Sequence, residues 1–344
     1  MVQMNPVFVS LTSLDIFCET TYTVCIIVFR KKVFFTNPTE NTLLHGPVRP
    51  ALLRYALPII LSMVATQFYS VADTMIIGLR LDADALAAVS NASTILMLFL
   101  FISGGMELGG GLLVAAGRPT ATRQEMAELL YNLLFVDLVL ALGLTALGFF
   151  TLPALLRLIR TPEEILAEAV LYGRVYLVGL PFLMLYDLTK ECIMGCGDSK
   201  TPLRAVVATS VMNIVLDLLF VCSFHMGVAG VAFATIISQI LSAVLVIIVL
   251  MRSQEDYRLI PRELRINGPI LSRILRIGLP AAIQTSVISF SNVFVQAYIN
   301  EFQSSCMAGW TSYNRLDAFA WLPMLCLGMA NTTFVGQNLG AGKL

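Results

Sequence analysis

The chain has 344 residues, of which 57% are hydrophobic and 13% charged, with a mean hydropathy of +0.81 and a formal net charge of zero. Soluble domains carry about 25% charged residues, so this composition belongs to an integral membrane protein. Balanced charge, with no basic stripe interleaved with aromatics, argues against nucleic acid as a partner. Seven scattered cysteines without a Cys-x-x-Cys suggest neither a disulfide framework nor a zinc site.

Residues 1–45 hold short apolar runs at 6–14 and 24–29, broken by Asp15, Glu19 and Arg30-Lys31-Lys32. Neither run reaches the ~20 residues a membrane span needs. The basic cluster follows the apolar part instead of preceding it, contrary to a signal peptide. This stretch is expected to be a leader outside the fold. From residue 50 the pattern becomes regular, with eight expected spans at 52–78, 86–116, 126–151, 165–190, 202–224, 228–251, 272–300 and 306–336. With the N-terminus inside, the cytoplasmic connections collect most of the Lys and Arg, whereas the outer ones hold only Arg80, Arg157 and Arg160. The positive-inside rule therefore predicts a cytoplasmic N-terminus.

The fifth span contains Asn213 and Asp217, four residues apart and so on one helix face. A carboxylate inside a span costs roughly 2.5–3.5 kcal/mol on insertion scales and normally faces a partner, a cavity or an ion path. Helix-to-helix glue is the plainer reading.

Leu53-Arg54-Tyr55-Ala56-Leu57-Pro58 reappears as Leu275-Arg276-Ile277-Gly278-Leu279-Pro280, 222 residues later. Six spans lie between the two starts, so the copies enter the membrane in the same direction, as a parallel repeat. The second copy covers only two spans. This predicts a six-helix N-terminal lobe at 46–253, a cytoplasmic linker at 254–271 and a C-terminally truncated second lobe at 272–344.

Several stretches, in this order, resemble the multidrug and toxic compound extrusion (MATE) transporters. They are Ala56-Leu57-Pro58, Val71-Ala72-Asp73-Thr74 with Gly78, and Gly195-Cys196-Gly197-Asp198-Ser199-Lys200-Thr201-Pro202. Asn213 with Asp217, Gly227-Val228-Ala229-Gly230-Val231 with Thr235 and Gln239, and Phe334-Val335-Gly336-Gln337-Asn338-Leu339-Gly340-Ala341-Gly342 complete the set. The resemblance covers the chain after the leader and is nearest to the DinF-like branch. It implies an all-α membrane fold of two six-helix lobes around a central cavity, exporting drugs in exchange for H+ or Na+. In this branch the cation site lies in the N-terminal lobe; carried over, it comprises Asp73, Asn213, Asp217 and Thr235 with Tyr69 close by. Pro58 matches the proline at which the first helix bends.

The residues themselves agree with that expectation. Burial and a neighbouring negative charge both favour the protonated form of a carboxyl group, so Asp73 and Asp217 can hold a proton or share a monovalent cation. Asn213, Thr235 and Tyr69 supply neutral oxygens, and Pro58 removes one backbone hydrogen bond, marking either a hinge or a static kink. Glu107, in a Gly-rich run at 104–111, is either a cavity carboxylate that attracts cations or an interface group near solvent. Asp187 and Lys190 are expected to form a local salt bridge. Arg315 and Asp317 pair across the cavity or with a further helix.

The leading function is therefore a secondary multidrug exporter in the inner membrane, moving amphipathic or cationic small molecules, in contact with lipid and without a cofactor beyond H+ or Na+. A flippase for a lipid-linked precursor is the alternative, and would need a basic cavity. A remnant unable to transport is a third reading. No His-Glu-x-x-His or Ser elbow suggests an enzyme.

Overall fold

A computed structural model describes residues 43–45, 47–80, 83–159, 161–252, 266–299 and 304–343. The leader expected at 1–45, apart from 43–45, lies outside the described residues, as do most of the linker expected at 254–271 and the side chain of Arg315. Among the described residues the protein consists of long helices. They are α1 (Val48–Arg80), α2 (Ala83–Gly117), α3 (Arg123–Leu158), α4 (Glu163–Gly195), α5 (Lys200–Asp217), α6 (Gly227–Arg252), α7 (Gly268–Ile299) and α8 (Ser304–Gly340), with a π-helical turn at Leu218–Ser223 after α5.

Each expected span falls on one of these helices, the fifth including the π-helical turn, and none overruns its helix by more than one residue. The helices run longer, because 33 residues extend about 50 Å and reach beyond a hydrocarbon layer of about 30 Å. Helices α1 to α6 are long and apolar enough to cross a membrane. The outer surface agrees: Phe68 and Leu142 are exposed and Phe150 is 80% exposed, a surface that lipid suits and water does not.

Helix α4 is the centre of the N-terminal lobe, packing on α2, α3 and α6. Small residues permit this: Gly148 receives Leu177, and Gly173 receives Leu152. Leu152, Leu177, Leu180 and Met184 are fully or almost fully buried there. The second-lobe helices attach mainly to α1 and α2, with α8 packed on α2 as well as on α1. Helix α2 lies on α7, where Gly105 meets the backbone of Ala282 and Gly109 meets Gly278, and helix α8 lies on α1. A parallel repeat that carries α1 onto α7 and α2 onto α8 turns the first of these contacts into the second.

One end of the bundle is tied by the stretches that carry the family resemblance. The α4–α5 connection turns at Gly197, whose φ of 96° favours glycine. Asp198 then accepts from the backbone N–H groups of Lys200 (2.9 Å) and Thr201 (3.1 Å), satisfying the start of α5. From α8, Gln337 Nε2 donates to the Gly195 carbonyl at 2.7 Å, and Gly340 lies against the backbone of Ala116. Tyr55 of α1 donates to the Met194 carbonyl at 2.6 Å. The start of α1 and the ends of α2, α4 and α8 thus meet at the end where the basic residues collect.

Helix α3 begins at the same end with a capping box, in which the Glu125 N–H donates to Thr122 Oγ1 and the Thr122 N–H donates to Glu125 Oε2. Thr122→Ala is expected to lower stability by about 1 kcal/mol, and Thr122→Ser to retain it, read from thermal melts of the purified protein.

Candidate functional site

Helices α1, α2, α4, α5, α6 and α8 line a cavity of about 530 Å³. Its wall is amphipathic: Tyr69, Tyr176 and Tyr186 with Met63, Met97 and Met194 supply aromatic and polarizable surface, while Asn213, Thr235 and Gln239 supply polar groups. The charged residues of the lining are Asp187 and Lys190. Lys190 Nζ is 2.6 Å from Asp187 Oδ1, so the expected local salt bridge is present and the wall carries no net charge.

Of the residues expected to bind a cation, α5 brings Asn213 and Asp217 to one face, α1 brings Asp73 and Tyr69, and α6 brings Thr235. Asn213 is 3% exposed and Asp217 0%. Asp73 and Asp217 are within hydrogen-bonding reach of each other, and Tyr69 is within electrostatic reach of both. As carboxylates the two have nothing to donate: both Asp217 oxygens and Asp73 Oδ1 lack a hydrogen-bond donor. A hydrogen bond between them requires one proton on the pair, and without that proton a cation must take its place. The Asn213 Oδ1 atom is also buried without a donor, and Thr235 Oγ1 donates to its own helix at Val231 O (3.0 Å), leaving lone pairs to accept. Tyr69, Asn213 and Thr235 line the cavity, and the two aspartates stand behind that lining.

The backbone next to Asp217 departs from α geometry. The N–H of Phe224 donates to Leu219 O and that of Met226 to Phe220 O, both at 3.0 Å, in the wider π-helical turn that begins at Leu218. Such turns recur at functional sites. Pro58 is buried within α1, which continues as one helix from Val48 to Arg80.

Glu107 is a buried carboxyl group of the lobe. It is 7% exposed, so it is not near solvent, and the cavity lining does not include it. It faces a second group of polar residues inside the lobe: Asp137 of α3, and Asp187, Lys190 and Glu191 of α4. Asp137 and Glu191 are functional candidates that the sequence reading missed. Asp137 stands alone in the apolar run at 133–142, the same signal that singled out Asp217.

Residues 58–219 and 280–344 match the MatE family model. The chain is 30% identical over 299 residues to the probable multidrug resistance protein YpnP of Bacillus subtilis strain 168, covering 87% of this chain and 67% of that one. It is 28% identical over 297 residues to the probable multidrug resistance protein YoeA of the same strain, covering 84% and 64%. The chain thus spans about two thirds of the length of these relatives. Among solved structures, a crystal structure of MATE in the bent conformation superposes with a TM-score of 0.80 at 25% identity, covering 89% of this chain and 69% of that one.

Proposed function

Because this chain belongs to the MatE family, we propose that it is a secondary active exporter of amphipathic or cationic small molecules, driven by inward movement of H+ or Na+ at Asp73 and Asp217. The observation that supports this best is the facing pair of carboxyl groups, Asp217 buried and Asp73 half-buried, directly behind an amphipathic cavity. A pair that needs a proton or a cation exists in two states, and Tyr69, Asn213 and Thr235 are positioned to pass that difference to the cavity wall. Pro58 lies in α1 fifteen residues before Asp73 and removes one backbone hydrogen bond, which suits it to act as the hinge of the helix carrying Asp73 and Tyr69. The membrane is the cell (inner) membrane, with the start of α1 on the cytoplasmic side, because the bundle end that gathers the basic residues is the end that stays inside.

The cavity disfavours flipping of a lipid-linked pyrophosphate. Among the described residues Lys190 is the basic residue of the lining, and it is already bound to Asp187, so none of them offers the cavity a free cation. The deciding experiment is export of a fluorescent amphipathic cation from cells expressing the protein, with the proton and sodium gradients collapsed one at a time. Export that stops when one gradient is removed is the expected result. Export indifferent to both gradients would overturn the proposal.

A further inference from the structure

Glu107 on α2 and Asp137 on α3 are carboxyl groups that the proposed coupling site does not use. They are 7% and 3% exposed, and Glu107 Oε1 and both carboxyl oxygens of Asp137 are buried without a hydrogen-bond donor. The groups facing them come from every packed neighbour. Helix α4 contributes Asp187, Lys190 and Glu191 to the surroundings of Glu107, and Asp187 and the Cys192 thiol to those of Asp137. On α7, which touches α2 through Gly278 and Ala282, the cations Arg273 and Arg276 are exposed. On α8, the neutral Thr332 and Thr333 line a small pocket together with Glu191.

The charge balance decides what these groups can be. Four carboxyl groups, Glu107, Asp137, Asp187 and Glu191, face one ammonium group, and that ammonium lies 2.6 Å from Asp187. Fully ionised, the group would hold three uncompensated negative charges, two of them on the buried Glu107 and Asp137. Each neutral carboxylic acid removes one of them. A proton on these carboxyls also supplies the hydrogen-bond donor that Glu107 Oε1 and the Asp137 oxygens lack.

Both groups lie nearer the end of the bundle where α2 and α4 finish than Asp217 does, Asp137 being fourteen residues, about 21 Å, from the Arg123 end of α3. Glu107 lies ten residues, about 15 Å, from the Gly117 end of α2, whereas Asp217 lies seventeen residues, about 26 Å, from the Lys200 end of α5. Asp187 connects the two regions, being within electrostatic reach of Tyr69 on one side and of Glu107 and Asp137 on the other.

We infer that Glu107 and Asp137 form a second proton-binding site in the N-terminal lobe, separate from Asp73 and Asp217 and nearer the end where α2 and α4 finish. This inference rests on the buried carboxyls and stands whether or not the chain transports drugs.

The test follows the protonated-carboxyl C=O stretch by infrared difference spectroscopy, in a pH titration of the protein in lipid vesicles. In the Asp73→Asn/Asp217→Asn background a titrating carboxyl band is expected to persist. It is expected to shrink in Glu107→Gln and in Asp137→Asn, and to disappear when both are added. No band in the first background, or a band that the added substitutions leave unchanged, would overturn the inference. Thermal melts supply an independent check, because an amide replaces a neutral acid with little change in shape or charge. Glu107→Gln/Asp137→Asn is expected to melt within a few degrees of the parent, and failure to fold would show ionised, structurally partnered groups and overturn the inference as well.

Discussion

Asp217→Asn is expected to abolish ion-driven export while leaving the protein folded and inserted at its normal level. Asp217 is completely buried, and its two oxygens have no donor other than a proton shared with Asp73. An asparagine keeps the shape and can donate to Asp73, so it replaces that shared proton permanently and holds the site in one state. If one charge is carried per cycle, a potential of 100 mV contributes about 2.3 kcal/mol, which sustains about a fifty-fold concentration ratio of substrate. The variant is expected to lose that ratio and to equilibrate substrate instead. Measuring potential-dependent accumulation of a fluorescent cation in everted vesicles, beside the melting midpoint, separates the two effects. A variant that still builds the gradient would remove Asp217 from the coupling mechanism, and one that no longer folds would assign it to structure.

The second large effect is expected at the α2–α7 contact. A methyl group added at Gly105 would collide with the Cα and N atoms of Ala282 and the carbonyl carbon of Ala281, all backbone atoms that no rotamer change can move. Gly105→Ala is therefore expected to cost 1–3 kcal/mol or more, of the order seen for overpacked cores, by pushing α7 off α2. Gly104, its neighbour on the same helix, has no atom within 4 Å of the added methyl position. Gly104→Ala should instead gain roughly 0.5–1 kcal/mol from the lower entropy of the unfolded chain. The opposite signs of two adjacent, chemically identical substitutions in a thermal melt make a stringent check on how the second-lobe helices attach. Equal effects would refute that attachment.

The fold was legible because membrane helices announce themselves by length and hydropathy, and each expected span became one helix. The Asp217 site was legible for a related reason: a carboxylate in an apolar run is costly enough to require a purpose. Asp137 obeys the same rule and was missed because it has no polar companion four residues away, so the run around it reads as an ordinary lipid-facing stretch. Glu107 illustrates a different limit. Whether it faced the cavity, solvent or the lobe interior depended on the rotation of α2, which is set by Gly105 and Gly109 turning toward α7. At about 100° per residue, Glu107 points some 200° away from Gly105, into the lobe. That rotation comes from contacts across about 170 residues of chain, beyond what local sequence pattern can reveal. The stretch from Gly195 to Pro202 stood out by family resemblance alone; the positive φ of Gly197 and the capping by Asp198 supply its physical reason.

The π-helical turn after Asp217 holds one residue more than an α-helical turn would. Tightening it to α pitch would rotate the chain beyond Ser223 by about 100° and advance it about 1.5 Å relative to Asp217, without unwinding the helix. The fifth helix therefore contains a one-residue vernier directly beside its buried carboxyl group. A gain or loss of charge at that position meets a backbone that can change register, where a regular helix would only bend.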